Sequence, residues 1–497
     1  MGARENFPIS PLLPCPPAAC QNSSRKDHLQ SMVHSDGLIL SYYGDDFTGS
    51  TDVMESLSFA GVKTVLFMAP PTAEQIAQFE GVMAVGVAGR TRSMSAQEMA
   101  QELVPVYTAF RELDTPIVHY KTCSTFDSSP EIGSIGQAID LGQSVFGGPF
   151  VPLVVGAPVL KRYCVFGNLY ARSGLDSDVF RLDRHPTMRH HPITPMDESD
   201  LRRHLAKQTD KEIELFDVLD LELEGDALEE ALLSRLSGGA KVMLFDTLSE
   251  SHLPKIGRLL WQRTGVQPLF VAGSSGAEYA LVAHWQEANM VSGTMALPPA
   301  GSADQLVVVS GSCSPVTADQ IDRAEQQGFE TIALNPILFV DEATADVAID
   351  AGVRKGLAAL SVGKNVILHT GRGPNDSRIE RTVAHLKFHG FSNLDVKLRS
   401  GAIFGRALGR ILREILMQSG LKRAATTGGD TSYYVAQSLG VEALEAIAPL
   451  APGSPLCRVY GEGLDGVEMT FKGGQVGTVD FFSQVLKGKA QGSERGL

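Results

Sequence analysis

The sequence has few of the residues that mark several common protein classes. It holds only 6 cysteines and 2 tryptophans in 497 residues. The cysteines show no paired metal-ligand spacing, so we expect reduced thiols in a cytoplasmic protein. No apolar run approaches the roughly 18–20 residues that span a bilayer, so no membrane contact is expected. The N-terminus is broken by prolines and lacks the continuous apolar stretch of a signal peptide.

Basic residues are also outnumbered by acidic ones. The 43 Lys and Arg against 57 Asp and Glu give a formal net charge of −14. A nucleic-acid binder needs a basic stripe to contact phosphates, so this balance argues against a nucleic-acid partner. A small anionic ligand needs only a few local cations and is still allowed. Glycine, by contrast, is abundant at 50 residues, which predicts many tight turns or backbone-lined sites.

Short β-branched runs alternate with helical patterns from Gly37 onwards. Apolar strands separated by helices favour an α/β architecture with mainly parallel sheets. A Pro- and Gly-rich segment, 297–304, is the best linker, and the alternation restarts after it. We therefore expect a loose N-terminal tail (1–35) and two α/β domains (36–296 and 305–490) with a cleft between them. Gly-rich short runs in the last fifty residues predict antiparallel hairpins.

Ligands of open α/β sheets bind beyond the carboxyl ends of the strands, so the polar turns after the strands are the informative ones. Adjacent carboxylates on a Gly-flanked turn can bind hydroxyls or act as a general base, and an Arg fork fits a carboxylate. Helix capping explains one acidic residue in such a turn but not two. In the first half the candidates are Asp45 and Asp46 in YYGDDFTGSTD, Arg92 in GRTRS, and Lys121, Ser124 and Asp127 in HYKTCSTFDSS.

A further loop of the first half, RLDRHPTMRHHPITP, carries three histidines: His185, His190 and His191. Their spacing is not that of a helical or Cys-containing metal site. The prolines predict a rigid extended loop, which is either structural or in contact with a substrate.

The second half offers turns rich in Gly and Ser, whose main-chain N–H groups can approach phosphates. Four such turns in one half indicate a nucleotide. The candidates are Ser310 and Ser312 in SGSCS, Gly371 and Gly373 in TGRGP, Gly401 in RSGAIFG, and Gly428, Gly429 and Asp430 in TTGGDTS. The sequence has no P-loop, and a G-x-G-x-x-G at 461–466 precedes a strand rather than a helix, so it is discounted as a dinucleotide site.

Together these motifs resemble the four-carbon acid sugar kinase family, the tetronate and 3-oxo-tetronate kinases. The resemblance rests on GDDFTGSTD, TRS, YKTCST, GSCSPVT, GGDTS and KGGQVG, and runs from about residue 38 to 482. It implies a sugar-acid-binding domain, a nucleotide-binding domain, and transfer of the ATP γ-phosphate to a terminal hydroxyl of a short sugar acid. It places Asp45, Asp46, Arg92 and Lys121 around the acid and the glycine turns around ATP, with Mg²⁺ bridging the phosphates.

One motif departs from the family pattern. Many members have K-x-D-S-T-L-R-G-N where this chain has KTCSTFDSS, so an Arg-Gly pair has become Asp127-Ser128. Losing a cation and gaining a carboxylate should change what the pocket holds. The variant resembles the branch that acts on branched or oxo acids such as 3-oxo-isoapionate.

In the resulting hypothesis, the acid's carboxylate binds Arg92 or Lys121, and its hydroxyls bind Asp45 and Asp127. Asp46, or else Asp45, is the catalytic carboxylate that orients or deprotonates the attacking hydroxyl. The alternatives are a non-catalytic sugar-acid-binding protein and a non-kinase sugar-acid enzyme. The glycine turns disfavour the first, and the lack of a Schiff-base lysine, a metal triad or a dinucleotide fingerprint disfavours the second. The metal ligands and assembly into a homodimer are left open.

Overall fold

The computed structural model describes residues 37–173, 178–191, 193–265, 267–291, 293 and 300–489. The predicted tail (1–35) and the start of the predicted linker (297–299) lie outside the described residues. The architecture is α/β with a mainly parallel sheet, as predicted. In the described part of the chain no helix has the length and apolar character needed to cross a membrane.

The part of the chain that the structure describes forms eighteen strands, most of them from short apolar runs of the sequence. They are β1 (Leu40–Gly44), β2 (Thr64–Phe67), β3 (Ala84–Ala88), β4 (Ile117–Lys121), β5 (Val151–Val154), β6 (Arg162–Val165), β7 (Asn168–Arg172), β8 (Val179–Arg181), β9 (Ile213–Phe216), β10 (Val242–Phe245), β11 (Leu269–Gly273), β12 (Val307–Ser310), β13 (Glu330–Ala333), β14 (Val366–His369), β15 (Arg423–Thr427), β16 (Ala443–Ala451), β17 (Ser454–Tyr460) and β18 (Glu468–Lys472).

The α-helices lie between the strands and cover both faces of the sheet. They are α1 (Phe47–Phe59), α2 (Ala73–Ile76), α3 (Ala96–Leu113), α4 (Ile135–Phe146), α5 (Leu201–Leu205), α6 (Gly225–Leu236), α7 (His252–Trp261), α8 (Gly276–Glu287), α9 (Pro315–Gln326), α10 (Glu342–Ser361), α11 (Ser377–Phe388), α12 (Asn393–Ser419), α13 (Gly429–Leu439) and α14 (Phe481–Lys487).

Fifteen strands form one sheet in the order β13-β14-β12-β15-β18-β17-β16-β2-β3-β1-β4-β11-β5-β10-β9. Two blocks of this sheet are parallel. In sheet order, the first block is β2-β3-β1-β4-β11-β5-β10-β9 and the second is β13-β14-β12-β15-β18. The central strands of both blocks are buried apolar runs, which is what helices on both faces require. A separate antiparallel sheet contains β6, β7 and β8.

The two parallel blocks are joined through an antiparallel seam. The strands β16 and β17 pair as the predicted hairpin, and β17 pairs with β18. The outer side of the hairpin then pairs with β2, where Ala443 lies opposite Phe67. The end of the chain therefore completes the edge of the first block, and backbone hydrogen bonds run without a break between the halves.

One predicted turn is a helix. RSGAIFG was expected to form a glycine turn at a strand end, but Gly401 and Gly405 lie inside α12. An added Cβ would lie 2.9 Å from Cβ of Asp430 at Gly401, and 2.7 Å from Cβ of Tyr434 at Gly405. The glycines are therefore required for close packing of α12 on α13, because any side chain would push the two helices apart.

Candidate functional site

Three polar turns of the first half meet where β3, β1 and β4 end side by side. Register places Gly44 between Ala88 and Lys121. The N–H of Asp45 donates to the carbonyl of Lys121 at 2.9 Å, and the N–H of Arg92 donates to the carbonyl of Asp45 at 3.0 Å. The backbone thus fixes the spacing of the side chains, as expected for neighbouring parallel strands.

Asp45, Asp46 and Arg92 form one cluster at this edge. The Arg92 guanidinium donates to both carboxylate oxygens of Asp45, with Nη2 2.6 Å and Nε 3.1 Å away, and Nη2 lies 2.7 Å from Asp46 Oδ1. Asp46 also caps α1, since Gly49 N–H donates to Oδ1 at 3.0 Å and Thr48 donates to Oδ2 at 2.7 Å. Helix capping therefore accounts for Asp46 alone, and both carboxylates also hold the guanidinium of Arg92.

The pKa values of the Asp45 and Asp46 carboxyls shift in opposite directions. Burial raises the pKa of Asp45, which the Arg92 charge only partly offsets. For Asp46 burial acts the same way, but the Arg92 and Lys121 charges and the hydrogen bonds from Thr48 and Gly49 outweigh it and lower the pKa. Asp46 is therefore the member of the pair that is held as an anion, able to accept hydrogen bonds.

Lys121 lies beneath this cluster rather than on its surface. The side chain is 4% exposed, and an added Cβ on Gly49 would meet both Lys121 Nζ and Asp46 Oδ1 at 2.4 Å. Its charge lowers the pKa of Asp46 and opposes the rise in the pKa of Asp52 that burial causes. Lys121 therefore neutralises buried carboxylates from below.

The turn that departs from the family pattern divides its residues between the pocket and the core. Asp127 lines the pocket described below and accepts a hydrogen bond from Thr125 at 2.7 Å. Ser128 is turned inward, bonded to His204 Nε2 at 3.0 Å and Gln208 Nε2 at 2.9 Å. Ser124 is not among the residues that line the pocket. Only the carboxylate of the altered pair reaches the pocket.

A cavity of about 200 Å³, here called the charged pocket, opens over these turns. It combines cations and carboxylates with aromatic rings. Its lining includes Asp45, Asp46, Arg90, Arg92, Asp127, His191, Lys397, Asp430, Tyr433 and Tyr434.

Three of these lining residues were not predicted from the sequence, and for a fourth, His191, the prediction left two roles open. Sequence reasoning missed Tyr433 and Tyr434, although they follow the GGDTS motif directly in α13. It also missed Lys397, which lies in α12 just before the RSGAIFG segment that was predicted to be a turn. His191, from the loop predicted to be structural or to contact substrate, is at the wall and accepts from Thr194 at 2.9 Å.

A second cavity of about 330 Å³, the glycine-rich pocket, lies against the ends of β12 and β15. One end is formed by Gly311, Ser312, Gly428, Gly429 and Gly474, and the other end is apolar. The apolar end is lined by Pro336, Ile379, Val383, Leu386, Val396 and Phe404. Such a pocket suits a molecule with an anionic end and a flat apolar end.

The predicted residues of the second half are only partly in this pocket. Ser312, Gly401, Gly428, Gly429 and Asp430 line it. The remaining three, Ser310, Gly371 and Gly373, are not among its lining residues. The Ser310 hydroxyl is buried and accepts from Thr427 Oγ1 at 2.7 Å, so it links two strand ends instead.

The two pockets meet at Gly429 and Asp430, which line both. Gly428 has φ of +116°, a conformation open to glycine, and the helix α13 begins directly after it. The N–H groups at the start of α13 therefore face the junction, where the helix dipole favours an anion.

Asp430 has the chemistry of a magnesium ligand. Its side chain makes no hydrogen bond or ion pair with the described residues, and loss of surrounding water followed by the charge of Asp46 raises its pKa. Mg²⁺ in phosphoryl-transfer sites is bound by one or two carboxylates together with phosphate oxygens. Asp430, with Asp46 beside it, fits that donor set, although no group of three or more metal-ligating side chains occurs among the residues described.

Comparison with known proteins matches two domain models to this chain. A model of a sugar-binding N-terminal domain matches residues 40–281, and a model of a nucleotide-binding C-terminal domain matches residues 307–482. The chain is 44% identical to the 3-oxo-isoapionate kinase of Paraburkholderia graminis, over 92% of this chain and 96% of that protein.

A kinase of lower identity and a solved structure also match most of the chain. Identity to the 3-oxo-tetronate kinase of Pseudomonas savastanoi pv. phaseolicola is 27%, over 90% of this chain and 97% of that one. A crystal structure from Salmonella typhimurium LT2 has the same fold, with a TM-score of 0.69 at 27% identity, covering 90% of this chain and 98% of that chain.

Proposed function

The chain belongs to the four-carbon acid sugar kinase family and is a sugar-acid kinase, and we propose that its acceptor is a branched 3-oxo acid of the 3-oxo-isoapionate type. The observation that carries the proposal is the meeting of the charged pocket and the glycine-rich pocket at Gly429 and Asp430. An acceptor in one pocket and ATP in the other would meet there.

The donor occupies the glycine-rich pocket. The phosphates lie on the main-chain N–H groups at the start of α13, at Gly429 and Asp430, and the base lies at the apolar end. The N–H groups of Gly311 and Gly428 donate to the carbonyls of Thr427 and Lys472 and so hold the two turns in place. Ser312 and Gly401 are part of this wall, whereas Ser310, Gly371 and Gly373 support it from outside. Asp430 would hold Mg²⁺, which when bound neutralises charge on the phosphates.

The acceptor lies in the charged pocket with its carboxylate at Arg92 or Arg90. Arg92 Nη1 makes no hydrogen bond to the described residues, so one face of the guanidinium is left for the acid. Lys121 contributes its charge from beneath, and Asp45 holds Arg92 in place. Hydroxyl or keto oxygens of the acid face Asp127, which lines the pocket.

Asp46 accepts a hydrogen bond from the attacking hydroxyl and directs its oxygen at the γ-phosphorus. The oxygen–phosphorus bond forms as the bond from the γ-phosphorus to the ADP oxygen breaks, and the hydroxyl proton leaves towards Asp46. A carboxylate with a lowered pKa is a weak base, which suits a loose transition state in which positioning and charge stabilisation dominate.

The finer acceptor class is supported by two observations. The relative with the highest identity among those described is a 3-oxo-isoapionate kinase, and the altered turn presents Asp127, a carboxylate, to the pocket. A carboxylate there can accept hydrogen bonds from the extra hydroxyls of a branched acid and repels a second acidic group.

The test is ADP release measured across a panel of tetronates, 3-oxo-tetronates and 3-oxo-isoapionate. We expect the highest kcat/KM with the branched 3-oxo acid. A tetronate preferred over both oxo acids would contradict the proposed acceptor class, and no ADP above background with any acid would contradict kinase activity altogether.

A further inference from the structure

A buried lysine stands directly behind the glycine-rich pocket. Lys472 ends β18 and is 0% exposed, one of the largest fully buried side chains described. The next two residues, Gly473 and Gly474, form a turn, and Gly474 lines the pocket. The lysine therefore lies one layer below the surface on which the phosphates would rest.

The ammonium group is held by three acceptors. Nζ donates to Thr317 Oγ1 at 3.2 Å, to the carbonyl of Gly473 at 3.0 Å and to that of Gly474 at 3.4 Å. Thr317 donates its own proton to the Gly474 carbonyl at 2.9 Å and accepts from Ser312 at 3.1 Å. The proton directions are thus fixed, and the network joins the Ser312 turn to the Gly474 turn.

This lysine has no countercharge among the residues that the structure describes. Among the residues that the structure describes, no carboxylate lies within ion-pair distance of Lys472. The acidic group on the adjoining helix, Asp480, is bound to Arg323 at 2.7 Å, and Asp430 lies across the pocket. Phe481 covers Nζ with its ring centroid 5.7 Å away. Burial alone lowers the pKa of Lys472 to about 7, because nothing anionic supports the charge.

We propose that Lys472 is a positioning residue whose missing countercharge is the phosphate chain of the bound nucleotide. The inference rests on the proposed function, because it takes the glycine-rich pocket as the nucleotide site. The lysine acts through Thr317, Ser312 and the Gly473–Gly474 turn, which it holds in place for the phosphates. Binding of a phosphate chain then stabilises the ammonium form, and the ammonium form strengthens binding.

The experiment measures the Kd of ADP and of adenosine by titration calorimetry on the full chain. In Lys472→Met we expect the ADP Kd to rise by at least about tenfold while the adenosine Kd changes by less than about twofold. Lys472→Arg should recover part of the ADP affinity. Lys422→Met, at an exposed lysine beside the neighbouring strand, is the matched control and should bind both ligands as the wild type does.

A second measurement needs no variant. Between pH 7.5 and 9, where ADP is already ionised, the wild-type Kd for ADP should rise steadily as Lys472 loses its proton, approaching about tenfold per pH unit. The Kd for adenosine should not change.

Two results would overturn the proposal: equal loss of ADP and adenosine affinity in Lys472→Met, which marks a purely structural role, or an ADP Kd that does not depend on pH. Neither measurement uses an acceptor. A protein that binds ADP with the expected pH dependence but phosphorylates no acid would refute the kinase function and leave the role of Lys472 intact.

Discussion

The charged pocket and the glycine-rich pocket lie at the carboxyl ends of the same sheet, yet they are built from different groups. The first relies on side chains such as Asp45, Arg92 and Asp127. Arg92 pairs with Asp45, and Asp127 accepts a hydrogen bond from Thr125. The second combines the glycine turns at Gly311 and Gly428 with the backbone N–H groups at the start of α13. Side chains can be exchanged one at a time, whereas backbone sites depend on the whole turn. We infer from this difference that the acceptor site can change within this fold while the donor site stays the same.

The largest effect is expected at the charged pocket. Asp46→Asn keeps a good helix cap for α1 but removes the charge that faces the attacking hydroxyl. We expect kcat to fall roughly 10²–10³-fold with little change in the KM for ATP. Steady-state kinetics with the preferred acid checks this, with the exposed Asp197→Asn as a control that should behave as wild type. Unchanged turnover would remove Asp46 from the chemistry.

The second-largest effect is expected at the glycine-rich pocket. Gly428→Ala forces a side chain into a φ of +116°, so the start of α13 must shift and the phosphate site with it. We expect the Kd for ADP to rise about tenfold or more. Gly363→Ala introduces comparable strain at φ of +80° with open space around it, and it should lower stability without affecting ADP. If both variants bind ADP normally, the glycine-rich pocket is not the donor site.

A smaller and more selective effect is expected at the altered turn. Asp127→Asn removes the carboxylate from the pocket but keeps its size and its bond from Thr125. We expect kcat/KM for the branched 3-oxo acid to fall about tenfold relative to a linear tetronate, with the KM for ATP unchanged. The ratio of the two acids, measured in competition, is the readout. A ratio equal to that of the wild type would show that Asp127 does not select the acceptor.

The smallest effect is expected on stability, at the antiparallel seam between the two parallel blocks. Glu55 on α1 accepts from the Gly453 N–H of the β16–β17 hairpin at 2.5 Å, and burial, followed by the Asp52 charge, raises its pKa from 4.5 to about 8. The protonated form is favoured on folding, so stability present below about pH 4.5 is lost as the pH rises towards 8.

Glu55→Gln keeps the acceptor oxygen without the charge. At pH 8 we expect it to raise the free energy of unfolding by about 1–2 kcal/mol, and at pH 5 to have little effect. Thermal unfolding at the two pH values checks this, with the exposed Glu131→Gln as a control. Equal shifts at both pH values would mean that the titration of Glu55 does not contribute.

Much of the fold and the function could be predicted from local sequence. The alternation of short β-branched runs with helical patterns does form a mainly parallel sheet, because buried parallel strands are short, largely apolar segments. The family, the kinase activity and the use of ATP are confirmed by the relatives. The Asp45, Asp46 and Arg92 turns meet because neighbouring strand ends must.

The rest depended on geometry that the local sequence does not encode. Gly401 was wrongly assigned to a turn, since a glycine that brings two helices together looks the same in sequence as one that bends the chain. Ser310 follows an apolar strand as a ligand-binding serine would, but its hydroxyl is used between strands. Lys397 reaches the charged pocket only because α12 packs along α13.

The pairing of β2 with β16 also has a consequence for how the protein is made. Val65, Leu66 and Phe67 at the edge of the first block are buried, but the strand that covers them, β16, is synthesised hundreds of residues later. At ordinary rates of synthesis the edge stays open for tens of seconds. During that interval an apolar strand edge is a template for pairing with other chains, so the yield of native protein depends on what shields β2 until the final hairpin arrives.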